Sequence, residues 1–273
     1  MNIQGALERH ENFKSKFITP RHVDVWYPPG YFDNMEECYP VVYMHDGQNL
    51  FDSALAFGGS GWEIDKTLSQ MMDEQKICGA LVIGIWNTER RYREYMPQKP
   101  YESLALERHH ENFINSYGGP PVSDAYLRFM VEELKRFIDK NYRTISDQSH
   151  TFVMGSSMGG LISLYAINEY PQVFGGAGCL STHWPAGEEE LVDEMANHLP
   201  DPQTHKLYFD YGTEGLDAFY GPYQKRMDEH LKNAGYVENQ NWMTLHFAGD
   251  DHSENAWRQR VEISLLFFLG GLK

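Results

Sequence analysis

Cysteine is scarce: the 273 residues contain three, Cys38, Cys78 and Cys179, an odd number with no C-x-x-C spacing. Neither a disulfide framework nor a zinc ribbon is therefore expected. Basic residues are also few. Lys and Arg number 23 against 39 Asp and Glu, a net charge of −16, and a surface of that sign repels phosphate backbones and anionic membrane faces. Nucleic acid and membranes are not expected partners. The longest apolar stretches, Ser264 to Leu272 and Ala80 to Trp86, fall well short of the roughly 20 residues that span a bilayer. The N-terminal MNIQGALERHENFKSKF carries polar and charged residues where a signal peptide needs an apolar stretch. A soluble, cytoplasmic protein is the expectation.

What is present suits a buried core: 41% of residues are hydrophobic and 23% charged, with no composition break, so one domain over 1–273 is expected. Short β-branched or aromatic runs occupy 39–45, 80–86, 150–155, 174–181, 206–212 and 241–249, and helical periodicity falls between them at 62–72, 123–142, 158–169, 188–199, 222–233 and 254–269. That alternation predicts an α/β fold with a largely parallel sheet covered by helices on both faces. RHVDVWYPP (21–29) ends in prolines and reads as an antiparallel edge strand. Ser123 is the expected N-cap of the 123–142 helix. The segment 87–122 lacks sustained periodicity and is too long for an ordinary connection. It contains ALERHHENF, a near copy of ALERHENF at 6–13, without wider similarity.

HTFVMGSSMGGLISLYAINEYP places G-x-S-x-G between a strand and a helix. A sharp turn there strains Ser157 and exposes its hydroxyl above the sheet, with Gly155 and Gly159 removing side chains that would clash. The helix from Met158 aims free N–H groups and its positive end at the same place. A serine hydroxyl needs a general base, and His252, in FAGDDHSENAW directly after the last strand, stands at the sheet end where ligands collect. The orienting carboxylate should lie between them in chain order. KLYFDYGTEGLDAFY offers Asp217, then Glu214, then Asp210, the last inside the strand, while Asp250 and Asp251 read as turn residues. Oxyanion donors are expected from the Met158 N–H and from HDGQNLF (45–51), where Gly47 allows close backbone approach and Gln48 presents its N–H.

YPVVYMHDGQNLFD, IGIWNTERRYREYMPQK, GSSMGGLISLYAINEYP and DYGTEGLDAFYGPYQ together resemble the esterase branch of the α/β-hydrolases, which includes esterase-D-like, feruloyl-esterase-like and enterochelin-esterase-like enzymes. The similarity runs from Arg21 to the C-terminus, and HDGQN with GSSMGG is more specific than the serine turn alone. The resemblance implies an α/β-hydrolase fold with about eight strands, Ser157 as nucleophile, His252 as base and an oxyanion contribution from the HDGQN loop. Feruloyl-esterase-like members place their acid closer to the Gly-Thr, where this chain has Glu214 and Gly215, so Asp217, Glu214 and Asp210 all stay open. No cofactor is implied. His109 and His110, flanked by Glu107 and Glu111, lack metal-ligand spacing, and no metal is expected. Tyr92, Tyr95, Tyr101, Phe113 and Tyr117 in the long segment, with Trp86 and Trp184, are candidates to wall a substrate pocket.

These features predict a serine carboxylesterase for soluble short- to medium-chain or aryl esters, with a rate that rises through roughly pH 6 to 8 as the base becomes neutral. Acyl transfer from the same acyl-enzyme, or ligand binding without catalysis, are the competing expectations. Oligomeric state leaves no mark in one sequence.

Overall fold

Eight strands form one sheet in the computed structural model, which describes residues 3–272. They are β1 (Ala6–Phe13), β2 (Arg21–Tyr27), β3 (Val41–His45), β4 (Leu81–Ile85), β5 (Thr151–Ser156), β6 (Gly176–Leu180), β7 (Lys206–Gly212) and β8 (Trp242–Phe247), in the order β1-β2-β4-β3-β5-β6-β7-β8. From β4 to β8 the pairing is parallel, and β2 runs antiparallel to both its neighbours. This is the α/β-hydrolase arrangement, with a mixed rather than wholly parallel sheet. β2 is antiparallel as expected but interior: β1 covers its outer side, and Arg9 reaches across to Asp24 with a two-pronged bond (2.7 and 2.9 Å).

Side chains of the central strands alternate between two apolar layers, as the period of two dictates. Val41 and Tyr43 face one layer and Val42 and Met44 the other. The second layer is closed by α1 (Ile64–Asp73) and α10 (Glu254–Leu269). The first is closed by α2 (Arg91–Tyr95), α3 (Gln98–Glu102), α4 (Glu107–Tyr117), α5 (Ser123–Arg128), α6 (Lys135–Asn141), α7 (Met158–Glu169), α8 (Glu188–Ala196) and α9 (Gly221–Asn233). Three of these helices lie in the segment expected to be irregular, so 87–122 is largely helical. A π-helical turn over Phe129–Leu134 joins α5 to α6. Ser123 begins α5 rather than capping it, and its hydroxyl instead accepts the Gln98 N–H at the start of α3 (2.9 Å). Among the described residues no helix is long and apolar enough to cross a membrane.

His45 ends β3, buried against Tyr95 and Tyr126, with Nδ1 2.8 Å from the Tyr126 hydroxyl. Burial lowers its pKa to about 3, and the nearby Arg91 and Arg21 act in the same direction. The unfolded chain thus takes up a proton near pH 6.5 that the fold refuses, so this contribution to stability is complete above pH 6.5 and is lost as pH falls towards 3. Urea unfolding at pH 7 and pH 5 is expected to show a drop that His45→Gln, which cannot titrate, makes shallower. Parallel losses in both proteins would remove His45 as the cause.

Candidate active site

The C-terminal ends of the parallel strands gather the candidate residues, because there each chain leaves the sheet and loops converge. β5 runs into Ser157, whose φ of 59° and ψ of −122° put a residue with a side chain in a strained backbone region. Gly155 permits the turn: a Cβ there would stand 2.8 Å from the Gly159 carbonyl carbon. The turn is pinned by the Ser157 N–H on the Leu180 carbonyl (2.9 Å) and by the His183 N–H on the Ser157 carbonyl (3.1 Å). α7 starts at Met158 and is buried from Met158 to Ile167, so the serine rides on a rigid element.

β8 leads to His252, and the loop after β7 folds into a short 3-10 turn, Gly215–Phe219, that carries Asp217. His252 Nδ1 lies 2.5 Å from Asp217 Oδ1. The other carboxylate oxygen accepts the Ser181 hydroxyl (2.6 Å) and the Gly212 N–H (2.7 Å). Burial alone would raise the Asp217 pKa, but the bonds from His252, Ser181 and Gly212 outweigh it and hold the carboxyl below its ordinary value. Ser181 is itself a junction, since its oxygen accepts Trp257 Nε1–H (2.9 Å) and Arg260 Nη2–H (2.8 Å). With both lone pairs taken, its proton must point at Asp217. Arg260, 2% exposed, also pairs with Asp210 and Asp250 at 3.0 Å each. Ser181→Ala leaves the buried Trp257 Nε1–H without an acceptor and takes one donor from Asp217, while Arg260 Nη2 keeps Asp210, and the expected loss is about 1–3 kcal/mol in urea unfolding together with reduced turnover. An unchanged unfolding midpoint would contradict this account of the junction.

After β3 the HDGQN stretch turns through Asp46, which has φ 57°, into a 3-10 turn over Gly47–Asn49. Arg91 from α2 grips the Asp46 carboxylate with Nε (2.8 Å) and Nη2 (2.7 Å), and Asn87 Nδ2 adds a bond at 2.6 Å. Burial opposes ionisation of Asp46, but the Arg91 charge and these bonds prevail and keep its pKa low. Gln48 Oε1 accepts the Asn87 N–H at 3.2 Å. Gly47 is also required by the sheet. A Cβ on it would lie 2.5 Å from the Gly84 carbonyl carbon of β4, so the close approach it allows is to the sheet.

Ser157, His252, Asp46, Gln48, Arg91 and Trp257 share one cavity of about 520 Å³. A smaller one of about 250 Å³ adjoins it beneath α4, and Tyr92 and His183 line both. A family model described as "Putative esterase" matches residues 15–266. The chain belongs to that esterase family. "Uncharacterized protein YbbA" of Bacillus subtilis (strain 168) is 24% identical over 268 residues, covering 95% of this chain and 94% of the relative. Among solved structures, a ferulic acid esterase superposes with a TM-score of 0.71 at 16% identity, covering 98% of this chain and 99% of that one. The BES protein from Bacillus cereus gives 0.73 at 14% identity, covering 100% and 97%. Likeness at these identities establishes a shared fold.

Several residues singled out in the sequence stand elsewhere in this esterase-family member. Trp184 is fully buried, with Nε1 bonded to Gln224 Oε1 (3.1 Å), and its neighbour His183 faces the cavities instead. Trp86 lies beneath the Arg9 guanidinium and donates to Asp24 (2.9 Å), outside both cavity linings. Glu214 is exposed, and Asp210 is committed to Arg260 and the Tyr208 hydroxyl. Burial raises the Asp210 pKa to about 6. Met158 lines the smaller cavity with Phe113 and Tyr117, whereas Tyr95 packs on His45 and Tyr101 stacks on His110. Ser181, His183, Tyr220, Asn87, Arg91 and Arg260 escaped the sequence reading. Trp257 and Arg260, one turn apart just after His252, carried a signal: an arginine on the inward stripe of an apolar helix demands buried acids. His109, Glu188 and Glu190 lie close enough together to hold an ion. Arg108 already bridges both glutamates, at 2.7 and 2.8 Å, and supplies that positive charge.

Proposed function

We propose that this protein is a serine carboxylesterase that hydrolyses soluble short- to medium-chain or aryl esters through an acyl-enzyme on Ser157, working as one α/β-hydrolase domain. The observation that carries the reading is the meeting, in one cavity, of a serine on a strained strand-to-helix turn and a histidine whose Nδ1 is held 2.5 Å from a buried carboxylate. In the proposed cycle His252 Nε2 takes the Ser157 proton, Oγ attacks the ester carbonyl, and Asp217 stabilises the resulting imidazolium. The N–H groups of Met158 and Gln48, with the Gly47 backbone between strand and turn, are assigned to the oxyanion. The imidazolium protonates the departing alcohol, and His252 then activates the water that cleaves the acyl-enzyme. Family membership supports ester hydrolysis, and the adjoining cavities support a substrate of limited size.

The test is intact mass after fluorophosphonate treatment, with turnover of p-nitrophenyl acetate, butyrate and octanoate followed in parallel. One adduct per chain and faster hydrolysis of acetate and butyrate than of octanoate are expected. A folded protein that takes no adduct and turns over none of the three esters overturns the reading.

A further inference from the structure

His183 takes no part in the cycle above, yet its side of the chain borders both cavities and so stands where they adjoin. Two bonds fix it. Its N–H donates to the Ser157 carbonyl at 3.1 Å, which keeps it beside the nucleophile, and its Nδ1 lies 2.7 Å from the Tyr220 hydroxyl. Tyr220 is 1% exposed and lines neither cavity. The two ring nitrogens diverge across the imidazole, so with Nδ1 turned to the buried phenol, Nε2 is turned the other way. Nε2 has no hydrogen-bond partner among the described residues, and it is not one of the buried polar atoms left without a partner. It is therefore open to the cavities that the ring lines.

The phenol decides which nitrogen carries the proton. A buried O–H needs an acceptor, and among the described residues the Tyr220 hydroxyl has Nδ1 alone as its hydrogen-bonding partner. Tyr220 thus donates to Nδ1, and the single proton of a neutral ring is left on Nε2. The ring is neutral at working pH because burial lowers its pKa to about 4, with His252 and Arg91 acting in the same direction. A fixed N–H donor faces the cavities as a result. The smaller cavity is mixed in the same sense: His109, Asn112 and Ser116 line it from one face of α4, beside Phe113 and with Met158. A purely alkyl group placed there would strip water from these polar groups and give them nothing in return.

We propose that His183 is a specificity-determining residue whose Nε2–H donates to an acceptor oxygen of the substrate, an ether, hydroxyl or keto oxygen a few atoms from the scissile ester, so that oxygenated esters are preferred to their alkyl counterparts. This rests on the serine-esterase reading, which puts the ester at Ser157, and it narrows the substrates of that reading to a class. The oxygen can belong to the acyl or to the alcohol half.

Two pairs of probes replace one CH₂ by O at nearly constant shape. p-Nitrophenyl methoxyacetate against butyrate tests the acyl half, and 2-methoxyethyl butyrate against butyl butyrate tests the alcohol half. The quantity read is the ratio of kcat/KM within a pair, compared between wild type and variant, so differences in intrinsic reactivity divide out. His183→Phe keeps a ring and loses the donor, and for one pair its ratio should fall about tenfold, the worth of one hydrogen bond to substrate. The pair that responds identifies the half that His183 reads. His183→Gln carries an N–H of similar reach and should keep the ratio within about threefold of wild type. Unchanged ratios for both pairs in a folded His183→Phe overturn the proposal, as do equal falls in the Phe and Gln variants. A second measurement needs no loss-of-donor variant: in long-range ¹H–¹⁵N spectra of histidine-labelled wild type at pH 7, the ring signal that vanishes in His183→Gln should show the proton on Nε2. A proton on Nδ1 overturns the proposal. If His183→Phe fails to fold, judged by circular dichroism and fluorophosphonate labelling, His183→Met, which also lacks the donor, takes its place. Failure of the esterase reading is separate: wild type would then take no adduct and turn over none of the four esters.

Discussion

Alanine at position 157 is expected to reduce kcat for p-nitrophenyl butyrate by about 10⁵- to 10⁶-fold and to abolish the fluorophosphonate adduct. The loss is that large because in the proposed cycle the Ser157 hydroxyl forms the acyl-enzyme, so what remains would come from oxyanion donors and binding. The same position carries an opposite effect on stability. Ser157 sits at φ 59°, ψ −122°, a region that glycine occupies without a Cβ penalty, so Ser157→Gly should be inactive yet more stable by about 1–3 kcal/mol. Alanine keeps the Cβ and should give no such gain. Turnover that persists in the alanine variant would move the nucleophile elsewhere, with Ser156 in the same cavity the first place to look.

Asp217→Asn should cost about 10⁴-fold in kcat, through the tautomer of His252 rather than through lost packing. Two donors, the Ser181 hydroxyl and the Gly212 N–H, converge on Oδ2. An asparagine must present its carbonyl oxygen to them and therefore turns its NH₂ towards His252 Nδ1. That nitrogen must then accept, the ring proton moves to Nε2, and the base faces Ser157 already protonated. Glu214→Gln, at an exposed position, should leave kcat near wild type. Asp210→Asn removes a partner of Arg260 and should lower stability with a far smaller effect on rate. A 10⁴-fold loss at Asp210 or Glu214 in place of Asp217 would reassign the acid.

The sheet and the long helices could be read from the chain because doubly covered strands such as VVYMH and TFVMG are apolar throughout and helices such as 123–141 carry a full inward stripe. α2 and α3 could not, since five residues are too few to show a period. Neither could β1. ALERHENF forms β1 at one place, and its near copy enters helices at the other, with Glu107 to Phe113 inside α4. Nearly the same local preferences are overridden by partners: β2 offers β1 an open edge, while the second copy finds no strand beside it. In the candidate site, Ser157 and His252 were visible because each sits in a short motif at a strand end. Ser181, Tyr220 and Arg260 come from three separate segments and acquire meaning only when the sheet brings them together. Trp184 missed the cavities by one residue because the chain turns sharply at Ser181, φ 41°, and presents His183 in its place.

The grip of Arg91 and Asn87 on Asp46 limits how far pocket shape can be varied independently of chemical power. The segment 87–122 walls the smaller cavity through Tyr92, Phe113 and Tyr117, which makes it the natural target for changing the shape of that cavity. It also supplies the side chains that brace the 46–48 turn. Grafting this segment from another family member would exchange both properties at once, and a chimera that lost turnover would look like a failed change of specificity. Libraries that hold Asn87 and Arg91 constant while varying the α4 face separate the two, and tell a poor fit in the smaller cavity from a collapsed 46–48 turn.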